Sequence, residues 1–135
     1  MFSEKESTYL KSQRLARIAT VSTKLQPDVA PVGFEFDGEH FYIGGLQQTT
    51  TTKYKNVVNG NTKVALVIDD VESVEPWQPR GIKIHGAAEI VERPGRFGPA
   101  PYVKVKPERA WSWGIERPVF EEGKVIMKKS RKEDG

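Results

Sequence analysis

The stretch that most restricts the fold is "RGIKIHGAAEIVE", residues 80–92, where apolar and polar side chains alternate over most of its length. Ile82, Ile84, Ala88 and Ile90 fall on one face; Lys83, His85 and Glu89 fall on the other. A period of two belongs to an extended strand, which needs paired neighbours and a core under its apolar face. The rest of the chain supplies both. "KVALVIDD" is nearly all apolar and predicts a central strand buried on both faces. "PYVKV" and "AWSWGI" predict two shorter strands after a proline- and glycine-rich loop at residues 94–101. "RLARIATVS" is short and β-branched. "VAPVGFEF" sets Ala30, Val32, Phe34 and Phe36 on one face, and Asp37-Gly38 predicts a hairpin turn into "EHFYIGG".

Two helices complete the pattern. "SEKE" has capping-box spacing and starts a helix over residues 3–13. A second helix is expected over residues 51–59, with Tyr54, Val57 and Val58 on one face and Gly60 as its stop. Roughly six strands and two short helices describe a mainly β chain folded as a small antiparallel barrel, not a βαβ array. A length of 135 residues suits one domain, residues 1–127, with residues 128–135 as a solvated basic polar tail.

Charge and composition exclude several classes. The tail "KKSRKEDG" carries four basic and two acidic residues and so accounts for most of the net charge of +3. The nearly neutral body argues against a nucleic-acid partner, which would want a basic groove or stripe. No apolar run approaches the roughly 20 residues that span a bilayer. "MFSEKESTYLKSQ" lacks the order of a signal peptide, and the chain has no cysteine, so a cytoplasmic location away from membranes is expected. Neither His40 nor His85 has metal-ligand spacing, so no metal is expected. No nucleophile elbow, Walker A or dinucleotide fingerprint is present, and no catalytic residue identifies itself.

Three places carry chemistry. In "GGLQQTTTTKYKNVVNG", residues 44–60, Lys53 and Lys55 fall in the first helical turn, where the dipole disfavours cations. A phosphate held there by Thr49 to Thr52, backbone N–H groups and Lys53 makes that placement favourable, whereas the plain alternative is exposed lysines. On the polar side of "VAPVGFEF", Val29, Pro31, Gly33 and Glu35 are mostly small or flat, suiting a planar ring or another subunit. In "ERAWSWGIE", Trp111, Trp113 and Ile115 share a face opposite Ala110, Ser112 and Gly114, the usual sign of core or interface. Trp77 lies in the loop "EPWQPRG" beside Arg80.

"LKSQRLARIATVSTKLQPDVAPVGFEFDGEHFYIGG" resembles the opening of pyridoxamine 5'-phosphate oxidase-like proteins, the flavin-binding split β-barrels. "TTKYKNVVNGNTKVALVIDDV" is similar to their helix and following strand. "EPWQPRGIKIHGAAEIV" and "VKVKPERAWSWGIE" are nearer to the deazaflavin, coenzyme F(420)-dependent branch; the likeness spans residues 10–116. It implies a homodimeric FMN-binding-type split barrel with two cofactor sites at the subunit interface. Carried over, it sets Thr51, Thr52 and Lys53 at the cofactor phosphate. Pro31, Val32, Gly33, Ile43 and Gly44 then lie along the ring, Arg80 and Gly81 near ring or phosphate, with Trp77 among the cofactor-binding candidates, and a tryptophan from the partner subunit closes the site. Members that bind FMN carry a Ser-Arg-Lys-like set where this chain has Thr51-Thr52-Lys53, which disfavours FMN because one lysine cannot replace a guanidinium fork. The chain also ends without the Arg-and-His segment of the true oxidases, so pyridoxamine phosphate oxidase activity is not expected. The implied function is a deazaflavin-dependent reductase of a small planar substrate. The alternatives are an FMN-dependent oxidoreductase or flavin reductase, or a non-catalytic cofactor- or haem-binding barrel.

Overall fold

The computed structural model describes residues 1–133. Helix α1 (Glu4–Ser12) starts as the capping box dictates: Ser3 Oγ accepts the Glu6 N–H at 3.1 Å, and the Glu6 carboxylate accepts the Ser3 N–H at 2.9 Å. Strands β1 (Leu15–Val21), β2 (Pro27–Gly33), β3 (Glu35–Phe36) and β4 (Phe41–Ile43) follow. A 3₁₀ turn (Gln48–Thr50) leads into helix α2 (Thr52–Val58). Then come β5 (Lys63–Ser73), β6 (Gln78–Gly95), β7 (Gly98–Trp113), the small ribbon β8 (Phe120–Glu121) with β9 (Lys124–Val125), and β10 (Lys128–Arg131).

The main sheet has the order β2-β1-β5-β6-β7-β4-β3, with β10 added on β7 and every pairing antiparallel. Its two edge strands, β2 and β3, are consecutive in the chain and separated only by Phe34. One residue cannot bridge the width of an open seven-strand path, so the sheet curls until its edges meet. The barrel core holds Ile18, Phe41, Leu66, Ile68, Ile82, Ile84, Val103 and Val105, all essentially inaccessible. Leu10 of α1 enters the same core, while Phe2, Phe36 and Phe41 stack with centroids 4.7–6.1 Å apart.

The structure alters five expectations. In β5 only Val64, Leu66 and Ile68 are fully buried; Ala65 and Val67 are half-buried on the outer face. The strands expected from "PYVKV" and "AWSWGI" are one strand, β7, because the β6–β7 ladder runs out to Gly95↔Gly98 and leaves Arg96-Phe97 as the tip. Pro107 is tolerated where the register slips, opposite Gly86, with Glu108 left unpaired as a bulge. The Asp37-Gly38 turn is a four-residue loop closed by Asp37 Oδ1, which accepts the N–H groups of Glu39 (2.9 Å) and His40 (2.7 Å). In α2 the inward face is Lys53, Asn56 and Val57 instead of Tyr54, Val57 and Val58, and Val58 is exposed.

The fifth change is in the tail. Lys128–Arg131, expected to be solvated, pairs with β7 from Ser112 to Arg109. Lys128 Nζ reaches Glu6 Oε1 at 2.8 Å, and Ser112 Oγ donates to Glu6 Oε2 at 2.5 Å. Glu6 is 2% exposed. Burial pushes its carboxyl up, but the bonds from Lys128, Ser112 and the Ser3 N–H outweigh that and hold it below the ordinary range. A buried carboxylate thus recruits the basic segment. Asp134 and Gly135 lie outside the described residues.

Candidate functional site

Lys53 is the second residue of α2, and burial on the barrel leaves it 9% exposed. Among the described residues no carboxylate lies within ion-pair distance of it, and desolvation lowers its pKa, partly offset by the nearby charge of Asp28 on β2. Lys55, by contrast, is exposed and sits in the last turn of this short helix, where a cation suits the dipole. The dipole puzzle therefore belongs to Lys53 alone.

The threonine run is partly committed already. Thr50 Oγ1 donates to Gln47 O at 2.8 Å and Thr51 Oγ1 to Gln48 O at 2.7 Å; Thr51 also caps α2 by accepting the Tyr54 N–H at 3.3 Å. The hydroxyl protons of Thr50 and Thr51 are used within the chain, while Thr49 and Thr52 are exposed. Gln48, one turn before, is 3% exposed; its Nε2 donates to Ile43 O at 2.7 Å, and its Oε1 has no hydrogen-bond partner. An unmet buried acceptor costs about 1–3 kcal/mol. Nothing in the local pattern of "LQQT" distinguished Gln48 from Gln47, so sequence reasoning missed it.

The ring-side residues come together. Pro31 and Gly33 are exposed on the outer face of β2, while the side chains of Val32 and Ile43 point into the core. Gly33 ends β2 and Gly44 directly follows β4, whose ladder with β3 pairs Glu35↔Tyr42 and Phe36↔Phe41. A Cβ on Gly33 would have Arg14 O as its nearest neighbour at 3.9 Å, so the space above it is open. At Gly44 the space is taken: a Cβ would lie 2.6 Å from Tyr102 Cε2. Tyr102 is thus laid down on this strand end by the missing side chain.

Arg80, Gly81 and Trp77 are not brought there within one chain. Gly81 is on β6, three strands from Gly33 along β2-β1-β5-β6, about 14 Å at ordinary strand spacing. It serves packing, since a Cβ would meet Trp113 Cζ2 and Asp69 Cβ at 2.7 Å each. Arg80 is clamped by Asp70 (Nε 2.8 Å, Nη2 3.0 Å), and Tyr9 Oη also donates to Asp70 at 2.8 Å. The Arg80 bonds hold Asp70 below the carboxylate range, whereas burial and the bond to Asp70 push the Tyr9 phenol up. Trp77 is 53% exposed beside a groove of about 460 Å³ that also involves Ile115 and Phe120. The tryptophans of β7 are half-buried on the outer face, with Ala110 and Ser112 inward; His85 meets Trp111 edge-on at 4.7 Å. Neither histidine belongs to a metal-binding cluster among the described residues.

The comparisons agree with this architecture. The family model described as "Pyridoxamine 5'-phosphate oxidase" matches residues 2–121. A 5a,11a-dehydrotetracycline/5a,11a-dehydrooxytetracycline reductase of Streptomyces rimosus subsp. rimosus is 37% identical over 122 residues, covering 85% of this chain and 84% of that protein. A solved F(420) reductase superposes with TM-score 0.63 at 24% identity, covering 82% of this chain and 98% of its own. A conserved hypothetical protein of Mycobacterium tuberculosis gives TM-score 0.67 at 22% identity, covering 84% of this chain and 86% of its own. Sequence match and barrel topology lead to one conclusion: the chain belongs to the pyridoxamine 5'-phosphate oxidase family.

Proposed function

We propose that this protein is a coenzyme F(420)-dependent reductase that works as a homodimer and adds a hydride to an electron-poor double bond of a small planar substrate. The observation that carries the reading is the buried Gln48 Oε1 acceptor without a hydrogen-bond partner, in the same short segment as the largely buried Lys53, which no carboxylate pairs among the described residues. A ligand with an N–H on a ring edge and a phosphate on its tail meets both needs. The relative named as a dehydrotetracycline reductase supports reduction as the reaction.

The bound deazaflavin supplies the hydride chemistry. The chain's own residues bind and orient. Lys53 neutralises the phosphate, while Pro31 and Gly33 offer a flat, side-chain-poor strand to the ring. Val32 and Ile43 fix that strand from below through the core. No acid or base is poised there: the Tyr42 phenol, pushed up chiefly by desolvation and by its bond to Asp37 (3.2 Å), stays protonated near neutral pH. Rate enhancement then rests on orientation and exclusion of water. In the dimer, Trp77 and Arg80 are the residues offered from outside the single-chain site.

Parallel fluorescence titrations with F(420) and with FMN test the cofactor. Saturable F(420) binding with FMN much weaker is the expected result. Tighter FMN binding moves the protein to the flavin branch, and binding of neither overturns the reading.

A further inference from the structure

The β6–β7 hairpin carries, at its two opposite ends, a projecting tip and a groove that suit each other. At one end, residues 91–95 and 98–102 pair with each other alone, because the β5 ladder reaches only to Ala87 and β4 covers β7 from Val103 to Val105. A two-stranded ribbon standing by itself is marginal in water. This one is braced at its base. The Arg93 guanidinium bonds Glu35 Oε2 at 2.9 Å, and its carbon lies 4.0 and 5.0 Å from the ring centroids of Tyr42 and Tyr102. The braced ribbon holds the Arg96-Phe97 turn away from the barrel, with Phe97 88% exposed and the Arg96 guanidinium 5.6 Å over its ring. Among the described residues no carboxylate lies within ion-pair distance of Arg96. The acidic residue of the ribbon, Glu92, stands three pairs below the turn.

At the other end lies the groove of about 460 Å³ beside Trp77, walled by Gln78, where β6 begins, and by Gly114 and Ile115, just past β7. Trp77 and Phe120 are exposed aromatic rings along it. Its free charge is negative. Glu72 and Glu116 line it with no cation at ion-pair distance among the described residues, whereas the lining cation, Arg117, is held by Glu121 at 2.6 Å. Glu116 accepts the Ser3 hydroxyl, so the exposed Glu72 is the more available carboxylate. β6 is 18 residues long, about 55 Å along the strand, so the braced tip does not reach the groove of its own chain.

We propose that the Arg96-Phe97 turn of one copy plugs into the Trp77–Phe120 groove of a second copy of this chain, with Phe97 against the two aromatic rings and Arg96 on Glu72. Tip and groove belong to one hairpin, so a two-fold axis across it seats each tip in the other copy's groove and closes the pair. The groove begins where β7 ends at Trp113, which makes it continuous with the half-buried tryptophan face of that strand. Each plug covers aromatic side chains that bury about 150–250 Å² apiece when enclosed, and symmetry doubles the sum. The Arg93 brace fixes the tip before docking, which lowers the entropic cost of the contact. The plug also bears on the candidate site. Tyr102, in the same ribbon, fills the space at Gly44, so a copy that holds the tip stands beside that strand end and offers Trp77 from outside the chain. The inference rests on the homodimer of the functional reading and specifies how the second copy completes its site.

The test exploits a chain without cysteine. Oxidised Phe97→Cys/Phe120→Cys protein should run as a covalent dimer on a non-reducing gel, at least tenfold above either single variant. Absence of that band, or an equal band in a single variant, overturns the inference. Charge reversal supplies a second arm that leaves both aromatic side chains in place. Arg96→Glu should raise the dimer dissociation constant at least tenfold in sedimentation runs, and adding Glu72→Arg should bring it back to within threefold of wild type. A reversal without effect, or a swap without recovery, overturns the inference as well. F(420) titrations on the same samples separate the two readings. Cross-linking without F(420) binding leaves the plug standing and removes the cofactor reading, whereas F(420) binding by a protein that stays monomeric does the reverse.

Discussion

At the scale of single residues, the strongest expectation concerns Lys53. Exchange for methionine removes a charge-assisted contact of about 1.5–3 kcal/mol, so cofactor affinity should fall roughly ten- to hundredfold while the barrel stays folded. A titration showing unchanged affinity would sink the phosphate assignment. The pH profile carries a second check. Only protonated Lys53 attracts the phosphate, and burial lowers its pKa in the free protein. Binding should therefore be full at low and neutral pH. It should be lost as pH rises through that lowered value, sooner than the value of about 10.4 for an exposed lysine would give. Gly81 offers a structural contrast. A methyl group there would stand 2.7 Å from atoms of Trp113 and Asp69, so Gly81→Ala should cost about 1–3 kcal/mol of stability, read as a lower melting temperature. Lys53 draws attention in the sequence because its charge contradicts its position, but its burial was not legible, since the spacing pointed to Tyr54, Val57 and Val58 as the inward face. The buried, half-bonded environment of Gln48 was not legible either, since it arises only when the sheet closes.

Among the elements, helix α1 and strand β10 form the pair whose dependence is most open to measurement. Lys128→Met leaves the buried Glu6 carboxylate with fewer partners and should destabilise the fold by about 1–3 kcal/mol, a figure held down because Lys128 itself is partly exposed. The folded-state pKa of Glu6 lies below its unfolded value, so its contribution is fully present above the unfolded value of about 4.3. It fades as pH falls through the lowered one. Denaturant unfolding at pH 7 and pH 3.5 should show that acid removes less stability from Glu6→Gln than from the wild type. Equal losses would mean that Glu6 does not carry this linkage. Helix α1 was readable from "SEKE" down to its cap. Strand β10 was not, because "KKSR" has no apolar alternation and is ordered by a carboxylate at the far end of the sequence. The fused strand β7 escaped notice for a related reason: its prolines and glycines signal a loop, and only a long partner of matching length overrides them.

For the whole molecule, the outer face of β5, β6 and β7 matters most. Half-buried Ala65 and Val67 share it with Trp111 and Trp113, and Lys83 Nζ lies 4.6 Å above the Trp111 ring. That face is where a second copy is expected to dock in the proposed dimer. Trp111→Glu should shift light-scattering mass from dimer to monomer, and a dimer that persists at low micromolar concentration would rule this face out. The barrel was expected from the count of strands and short helices, whereas the way it closes was not legible, because it hangs on the single residue Phe34 between two edge strands. That link also sets a timetable for synthesis. Strand β4 is made early, yet its other neighbour, β7, emerges from the ribosome only after α2, β5 and β6. Until then β4 shows a bare edge on the side that β7 will cover, the kind of surface chaperones bind. Nascent chains stalled before residue 98 should accordingly be protease-sensitive, and chains extended past residue 131 resistant.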